Sequence, residues 1–248
     1  MNITAIDTHT HINTNSKYDT EISDVYKADL DSIIKLSDKA NIGQMFISTF
    51  SSVLSDEEIE RENEYLFRLA CENDRIFQWV VIDPRNRATL EQAEKMLANK
   101  KCVGIKIHPD YHNYSVGEYG DLIFSFASER NATVLMHPQI PLETAIGYAD
   151  KYKNINLIIA HVGISHIDPI KKAKYHNVYT DTSGSASLSN FVIEHAVKQL
   201  GSEKILFGTD TYSTGAQRGR IEYAMISDKD KENILKNNAE RLFAKNLF

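Results

Sequence analysis

Eight short apolar runs alternate with helix-length amphipathic segments along the whole of this 248-residue chain. The runs fall at 3–8, 44–49, 77–82, 103–107, 133–136, 156–160, 178–181 and 204–208. Each has the length and the bounded character of a buried strand. Between them lie segments such as DEEIERENEYLFRLACEN (56–73), where Ile59, Leu66, Phe67 and Ala70 mark one face of a helix. Ser55 precedes that segment as an expected N-cap, and Asp56, Glu57 and Glu58 suit a first helical turn. SDKD at 227–230 has the form of a capping box, opening a helix that runs through Ile234, Leu235, Asn238 and Leu242 to the end. Strand–helix alternation dictates a parallel sheet. Eight repeats favour a closed (β/α)8 TIM barrel over a doubly wound open sheet, the competing architecture. No Pro/Gly/Ser-rich linker interrupts the pattern, so 1–248 reads as one domain.

The bulk numbers exclude several classes. A net charge of −6 with scattered acidic residues gives no basic footprint for nucleic acid. No apolar run approaches the roughly 18 residues needed to cross a bilayer, and no charged leader with an apolar core opens the chain. Cys71 and Cys102 lie in unrelated contexts without CxxC spacing. They read as ordinary thiols in a reducing compartment, with a single disulfide left open. The expectation is a cytoplasmic protein with a small-molecule substrate, and assembly into a homo-oligomer is compatible with the composition. Neither a GxGxxG nor a GxxxxGK[ST] loop is present, so no nucleotide cofactor is implied.

The histidines sharpen this. His9 and His11, in AIDTHTHIN, follow the first run and are one residue apart, so an extended backbone points both the same way, about 7 Å apart. His108 ends the fourth run (GIKIHP), His137 the fifth (VLMHP) and His161 the sixth (LIIAHVG), while Asp210 ends the eighth (ILFGTD). In a parallel barrel the carboxyl ends of all strands open on one face, where active sites lie. Imidazole is a poor core filler, so five histidines and an acid on one rim point to chemistry rather than packing. Neutral imidazoles with a carboxylate form a ligand set for Zn²⁺, and also suit Mn²⁺, Fe²⁺ or Co²⁺. Such a metal activates water and polarises a carbonyl, and Asp210 is placed to touch it and to accept a proton.

HxH after strand one, histidines after strands five and six and Asp after strand eight resemble, in that order, the amidohydrolase superfamily of metal-dependent barrels. GIKIHP, NVYTDTSG, KILFGTDTY and NNAERLF are similar to its amidohydrolase-related branch, which contains carboxymuconate-semialdehyde-type decarboxylases and lactone hydrolases. The resemblance implies that His9, His11, His137 and Asp210 are metal ligands. It makes His161 either a ligand of a second metal or the residue that orients and deprotonates water. Many two-metal members carry a carboxylated Lys or a Glu at the end of strand four. Lys106 is close to that place, with His108 on its side of the strand. As a free ammonium, Lys106 would attract an anionic substrate; carbamylated, it would bridge two metals.

Other candidates are Asp181 (YTDTSG), as a carboxylate orienting a ligand histidine, and Tyr111, His112, Tyr114 and Tyr119 of the loop at 109–119, as pocket walls. Arg218, in the Gly-flanked stretch at 213–220, is expected in a loop, where it would carry a cation to a substrate carboxylate. The function expected first is a metal-dependent hydrolase of a small ester, lactone or amide, using one or two divalent metals, Zn before others, with Asp210 and His161 catalytic. The alternative is a metal-dependent non-oxidative decarboxylase of a small unsaturated or aromatic acid. A reading of another class is a non-catalytic metal-binding regulatory module.

Overall fold

The computed structural model describes residues 2–14, 28–211 and 213–248. Eight strands follow one another in chain order around a single sheet, every neighbouring pair parallel: β1 (Ala5–Ile12), β2 (Ile42–Thr49), β3 (Ile76–Val81), β4 (Cys102–Ile107), β5 (Thr133–Met136), β6 (Leu157–Ile159), β7 (Val178–Asp181) and β8 (Ile205–Leu206). The sheet closes on itself. The Thr8 N–H donates to Phe207 O at 2.8 Å, and the N–H groups of Thr209 and Asp210 both donate to His9 O, at 3.0 and 2.8 Å. The expected (β/α)8 TIM barrel is therefore present. The helices are α1 (Leu30–Lys39), α2 (Phe50–Leu54), α3 (Ile59–Glu72), α4 (Arg87–Leu97), α5 (Val116–Glu129), α6 (Leu142–Lys151), α7 (Ile164–Lys171), α8 (Val192–Leu200), α9 (Thr214–Glu222), α10 (Asp228–Glu232), α11 (Asn238–Leu242) and α12 (Ala244–Leu247).

One irregularity governs the rest. Between Asp7 and Thr10, β1 advances three residues while β2 advances two, from Met45 to Ile47. Such a bulge re-aims every side chain beyond it, because strand facing alternates with period two. Ile6 packs inside the barrel with Phe46, Trp79, Leu135 and Leu206. Without the bulge Thr8 would follow it inward and the two histidines would face out. With it, His11 pairs with Ser48 and both imidazoles turn into the barrel mouth. At the bulge, the fully buried Trp79 indole N–H donates to the Thr8 carbonyl at 2.8 Å.

The amino-terminal end of the barrel is plugged by the end of the chain. Phe243 packs edge-on against Phe46 (4.9 Å between ring centres) and Trp79 (5.7 Å), with Ala239 beside it. The capping box expected at SDKD forms, Ser227 and Asp230 exchanging side-chain to backbone bonds at the start of α10. The single long helix expected there is instead α10, a π-helical turn at 233–237, α11 and α12. Ser55 does not cap α3. It ends α2, its side chain makes no capping bond, and Asp56–Glu58 form a 3-10 turn that delays the helix to Ile59. Cys71 and Cys102 are free thiols, the first exposed and the second buried. Among the described residues, no helix is long and apolar enough to cross a membrane.

Replacing Trp79 with Phe removes the donor that satisfies the bulge carbonyl while keeping most of the apolar surface. An unpaired buried carbonyl costs about 1–3 kcal/mol. Trp79→Phe is expected to lower the unfolding free energy by that amount, seen as a lower denaturant midpoint at unchanged slope; an unaltered midpoint would show that the bulge needs no indole.

Candidate metal centre

The carboxyl-terminal mouth of the barrel holds a cavity of about 150 Å³ lined by His9, His11, Phe50, Val53, Leu54, Lys106, His108, Tyr111, His137, His161 and Asp210. All five rim histidines, Lys106 and Asp210 thus meet in one place.

His9 and His11 are oriented from behind. The Nδ1 of His9 lies 2.9 Å from Asp181 Oδ2, and a carboxylate with no shift toward protonation can only accept, so Nδ1 carries the hydrogen and Nε2 is left bare. The Nδ1 of His11 lies 3.1 Å from the Ser48 carbonyl oxygen, which likewise only accepts. The bare Nε2 of His11 then faces Asp210 Oδ1 at 3.2 Å, and that of His9 faces the same oxygen at 3.8 Å. Three ligand atoms thus turn on one point, and the Lys106 Nζ, 2.5 Å from His9 Nε2, meets one of them. His9, His11 and Asp210 therefore fit a divalent metal, with Asp181 and Ser48 fixing tautomer and ring direction. His9, His161 and Asp181 also gather their donor atoms closely, but the Ser183 hydroxyl already lies among them. That group is a hydrogen-bond network.

Burial sets the charges. His9 is pushed down to about 3 by desolvation, aided by the Lys106 ammonium, and His137 to about 4 by desolvation and by His161. Desolvation lowers His11 and His108 as well. Burial would raise Asp210, but the His11 and His9 rings facing it outweigh burial and hold this carboxyl below the usual carboxylate range. Lys106, 1% exposed, is brought down to about 8 by desolvation, and its Nζ stands 2.5 Å from His9 Nε2.

His137 lines the cavity but stands apart from the close group. Its ring stacks on that of His108, 4.0 Å between centres and 20° between planes, and its Nδ1 has no hydrogen-bond partner. His161 stacks on His9 at 5.2 Å. Of the loop residues considered as pocket walls, only Tyr111 reaches the cavity, packing on His108 at 4.5 Å. His112 is buried, its Nε2 donating to Ser52 O; Tyr114 lies in the core and Tyr119 packs against it. Arg218 is a correction. Residues 214–222 form α9, not a loop, and Arg218 is 5% exposed, 3.3 Å from Glu222 and 3.4 Å from the carbonyl of Asn41, which precedes β2 at the opposite end of the barrel. A helix running back from the mouth carries it away from any substrate there.

Residues not anticipated complete the site. Phe50, Val53 and Leu54 of α2 form its apolar wall. Thr211 accepts from His11 N–H at 2.7 Å and donates to His11 O at 2.6 Å. Asp7 accepts from the N–H groups of His9 and Thr209 and from the Thr209 hydroxyl, and burial raises its carboxyl to about 8. Only the short polar runs around them, DTHTH and GTDT, hinted at these roles.

An eight-fold barrel with paired histidines and an aspartate converging at its mouth is the architecture of metal-assisted barrel enzymes. The chain belongs to the amidohydrolase family, whose model matches residues 6–245. None of the curated proteins matches it. Among solved structures it is similar to 2,6-dihydroxybenzoate decarboxylase from Rhizobium, with a TM-score of 0.79 and 17% identity over 97% of this chain and 98% of that one. It is equally similar to a dihydroxybenzoic acid decarboxylase from Polaromonas sp. JS666 with bound manganese and the inhibitor 2-nitroresorcinol (TM-score 0.79, 18% identity, 99% and 98% covered). The 5-carboxyvanillate decarboxylase from Sphingomonas paucimobilis matches with a TM-score of 0.74 and 13% identity, over 97% and 98%. At these identities the shared property is the fold.

Two outcomes follow. His9→Ala with His11→Ala is expected to abolish divalent metal uptake, measured by elemental analysis, while the circular dichroism of the barrel persists. For the metal-free protein, the folded state holds His9 and His137 below their unfolded value near 6.5, so the unfolded chain binds more protons between those limits and stability rises with pH. Acidification from pH 6.5 to 4 should therefore lower the unfolding free energy, by up to about 1.4 kcal/mol per pH unit for each histidine. A flat profile would mean the imidazoles are solvated.

Proposed function

We propose that the protein is a metal-dependent non-oxidative decarboxylase of a small carboxylic acid bearing an aromatic or unsaturated group. The observation that carries this reading is Lys106. Among the described residues lining the cavity it is the sole Lys or Arg, and it is buried among neutral imidazoles beside the metal donors. A lone buried cation there matches one anionic group on the substrate. The roughly 150 Å³ of space suits a single-ring or short-chain acid, and Phe50 and Tyr111 offer ring faces to its apolar part. The fold-level likeness to enzymes named for dihydroxybenzoate and carboxyvanillate supports decarboxylation over the hydrolysis expected first from sequence.

A divalent metal would be held by His9, His11 and Asp210, with His137 as a fourth ligand, and would supply positive charge that polarises the substrate's oxygen atoms. Mn²⁺ is supported by the Polaromonas neighbour; Zn²⁺ suits the same donors. Lys106 pairs with the substrate carboxylate and holds it at the mouth, and the wall of α2 keeps water from its apolar side. Cleavage of the bond to the carboxyl group releases carbon dioxide and leaves an electron pair on carbon, which takes up one proton. His161 takes a proton from solvent water at Nε2 and delivers it to that carbon, and Asp210, ionised at neutral pH, accepts a proton from a substrate hydroxyl or water.

The test is a panel of ¹³C-carboxyl-labelled hydroxybenzoates and short unsaturated acids, assayed with Mn²⁺ and with Zn²⁺ for labelled carbon dioxide. Release from at least one acid is expected. Turnover of lactones or esters with no carbon dioxide from any acid would restore the hydrolase. With the active acid, Asp210→Asn should reduce kcat by about two to four orders of magnitude at equal metal content. Lys106→Met should raise KM more than it lowers kcat; an unchanged KM would remove Lys106 as the carboxylate's partner.

A further inference from the structure

Behind the cavity, one hydroxyl joins three groups that no sequence pattern linked. Ser183 Oγ lies 2.9 Å from His9 Nδ1 and 2.9 Å from His161 Nδ1, and it hydrogen-bonds to Asp181 Oδ1. It is buried, as is Asp181. A serine hydroxyl has one hydrogen to give and two lone pairs to receive with. Asp181 is ionised: burial would raise it, but His9 outweighs burial and holds it below the usual carboxylate range, so it accepts only. The single Ser183 hydrogen therefore goes to Asp181. One lone pair faces the His9 N–H, which Ser183 shares with Asp181 Oδ2. The other faces His161 Nδ1. Were that nitrogen bare, two lone pairs would meet at 2.9 Å inside the protein.

We propose that Ser183 is a positioning residue that locks His161 in the tautomer with hydrogen on Nδ1, so that His161 takes up and hands over its proton at Nε2 alone. The backbone is built around this contact. His161 adopts a left-handed φ of 62°. Its N–H donates to Asp181 Oδ1 at 3.2 Å. The next residue after Ser183 is Gly184, at φ 75°, where a Cβ would stand 2.7 Å from His161 Nδ1. Any side chain at 184 would displace the ring from the serine. The bare Nε2 is thereby fixed as an acceptor, for a proton or for a metal; as a donor it must first be protonated. That the proton goes on to carbon rests on the decarboxylase reading, whereas the tautomer does not.

The experiment is a long-range ¹H–¹⁵N correlation spectrum of metal-free, ¹⁵N-histidine-labelled full-length protein at pH 8, with His161 assigned by His161→Gln. The wild type should show a protonated Nδ1 and a bare Nε2 at His161. Ser183→Ala should raise the Nε2-protonated form, and Ser183→Thr, which keeps the hydroxyl, should restore the original pattern. A wild-type His161 protonated on Nε2 overturns the proposal whether or not the variants fold. So does a Ser183→Ala spectrum identical to wild type in a protein with native circular dichroism. In the carbon dioxide assay, Ser183→Ala should lower kcat by about 10- to 100-fold with KM within about twofold. Absence of carbon dioxide from the wild type would refute the decarboxylase reading and leave the tautomer result standing.

Discussion

The seam where β1 meets β8 is the constraint on which the site depends. By ladder pairing β8 spans two residues, Ile205–Leu206, too few to hold a barrel shut. Closure is carried past it by the polar run that follows. The N–H groups of Thr209 and Asp210 converge on the carbonyl of His9, Thr211 clasps both backbone groups of His11, and Asp7 bridges to Thr209 from below. The candidate metal donors lie on the two sides of this seam, His9 and His11 on one and Asp210 on the other. The bonds that complete the barrel therefore also set the distance between imidazoles and carboxylate. Folding and site assembly are one event here, and a change to Thr209 or Thr211 acts on both.

Three aspartates at this end of the barrel show how neighbours divide one residue type into different roles. Burial dominates at Asp7, whose partners are neutral N–H groups and a hydroxyl, and its carboxyl rises to about 8. Asp181 is as deeply placed and Asp210 is half-buried at the cavity, yet each faces an imidazole and stays ionised. A protonated Asp7 adds no negative charge beneath the donors, while Asp181 orients His9 and Asp210 faces the cavity. The opposite pressure acts on the imidazoles, which desolvation keeps neutral and so ready to ligate a cation without first losing a proton.

Much of this was legible in the sequence because strand ends and chemistry coincide. The apolar runs placed all eight strands within a few residues of the observed bounds, and a residue ending a strand of a parallel barrel has only one face to serve. The bulge was not legible: apolar periodicity at AIDTHTHIN is too short to register one inserted residue, so the pair was placed after the strand rather than inside it. Arg218 misled for a related reason. Gly215 and Gly219 suggested a loop, but tertiary packing against α1 holds that stretch as a helix, and helices in this fold run away from the mouth. Ser183 lay unnoticed because a serine carries its meaning only through the three groups that surround it.

Backbone strain marks the same places. His161, Asp210 and Thr211 all hold left-handed φ values, 62°, 55° and 68°, at the ends of β6 and β8. None is glycine, and such a conformation costs each of them about 1–2 kcal/mol. An ordinary strand-to-helix turn would spend that on Gly or Asn. Here the chain keeps an imidazole, a carboxylate and a hydroxyl, and the cost is offset by bonds from Asp181, His9 and His11 to those same residues. Strain of this kind persists only where the surroundings over-determine the conformation. Asn41, Asn113, Asn131, His176 and Phe191 hold the same region elsewhere in the chain, but only at these two strand ends does it set an imidazole and a carboxylate on one cavity.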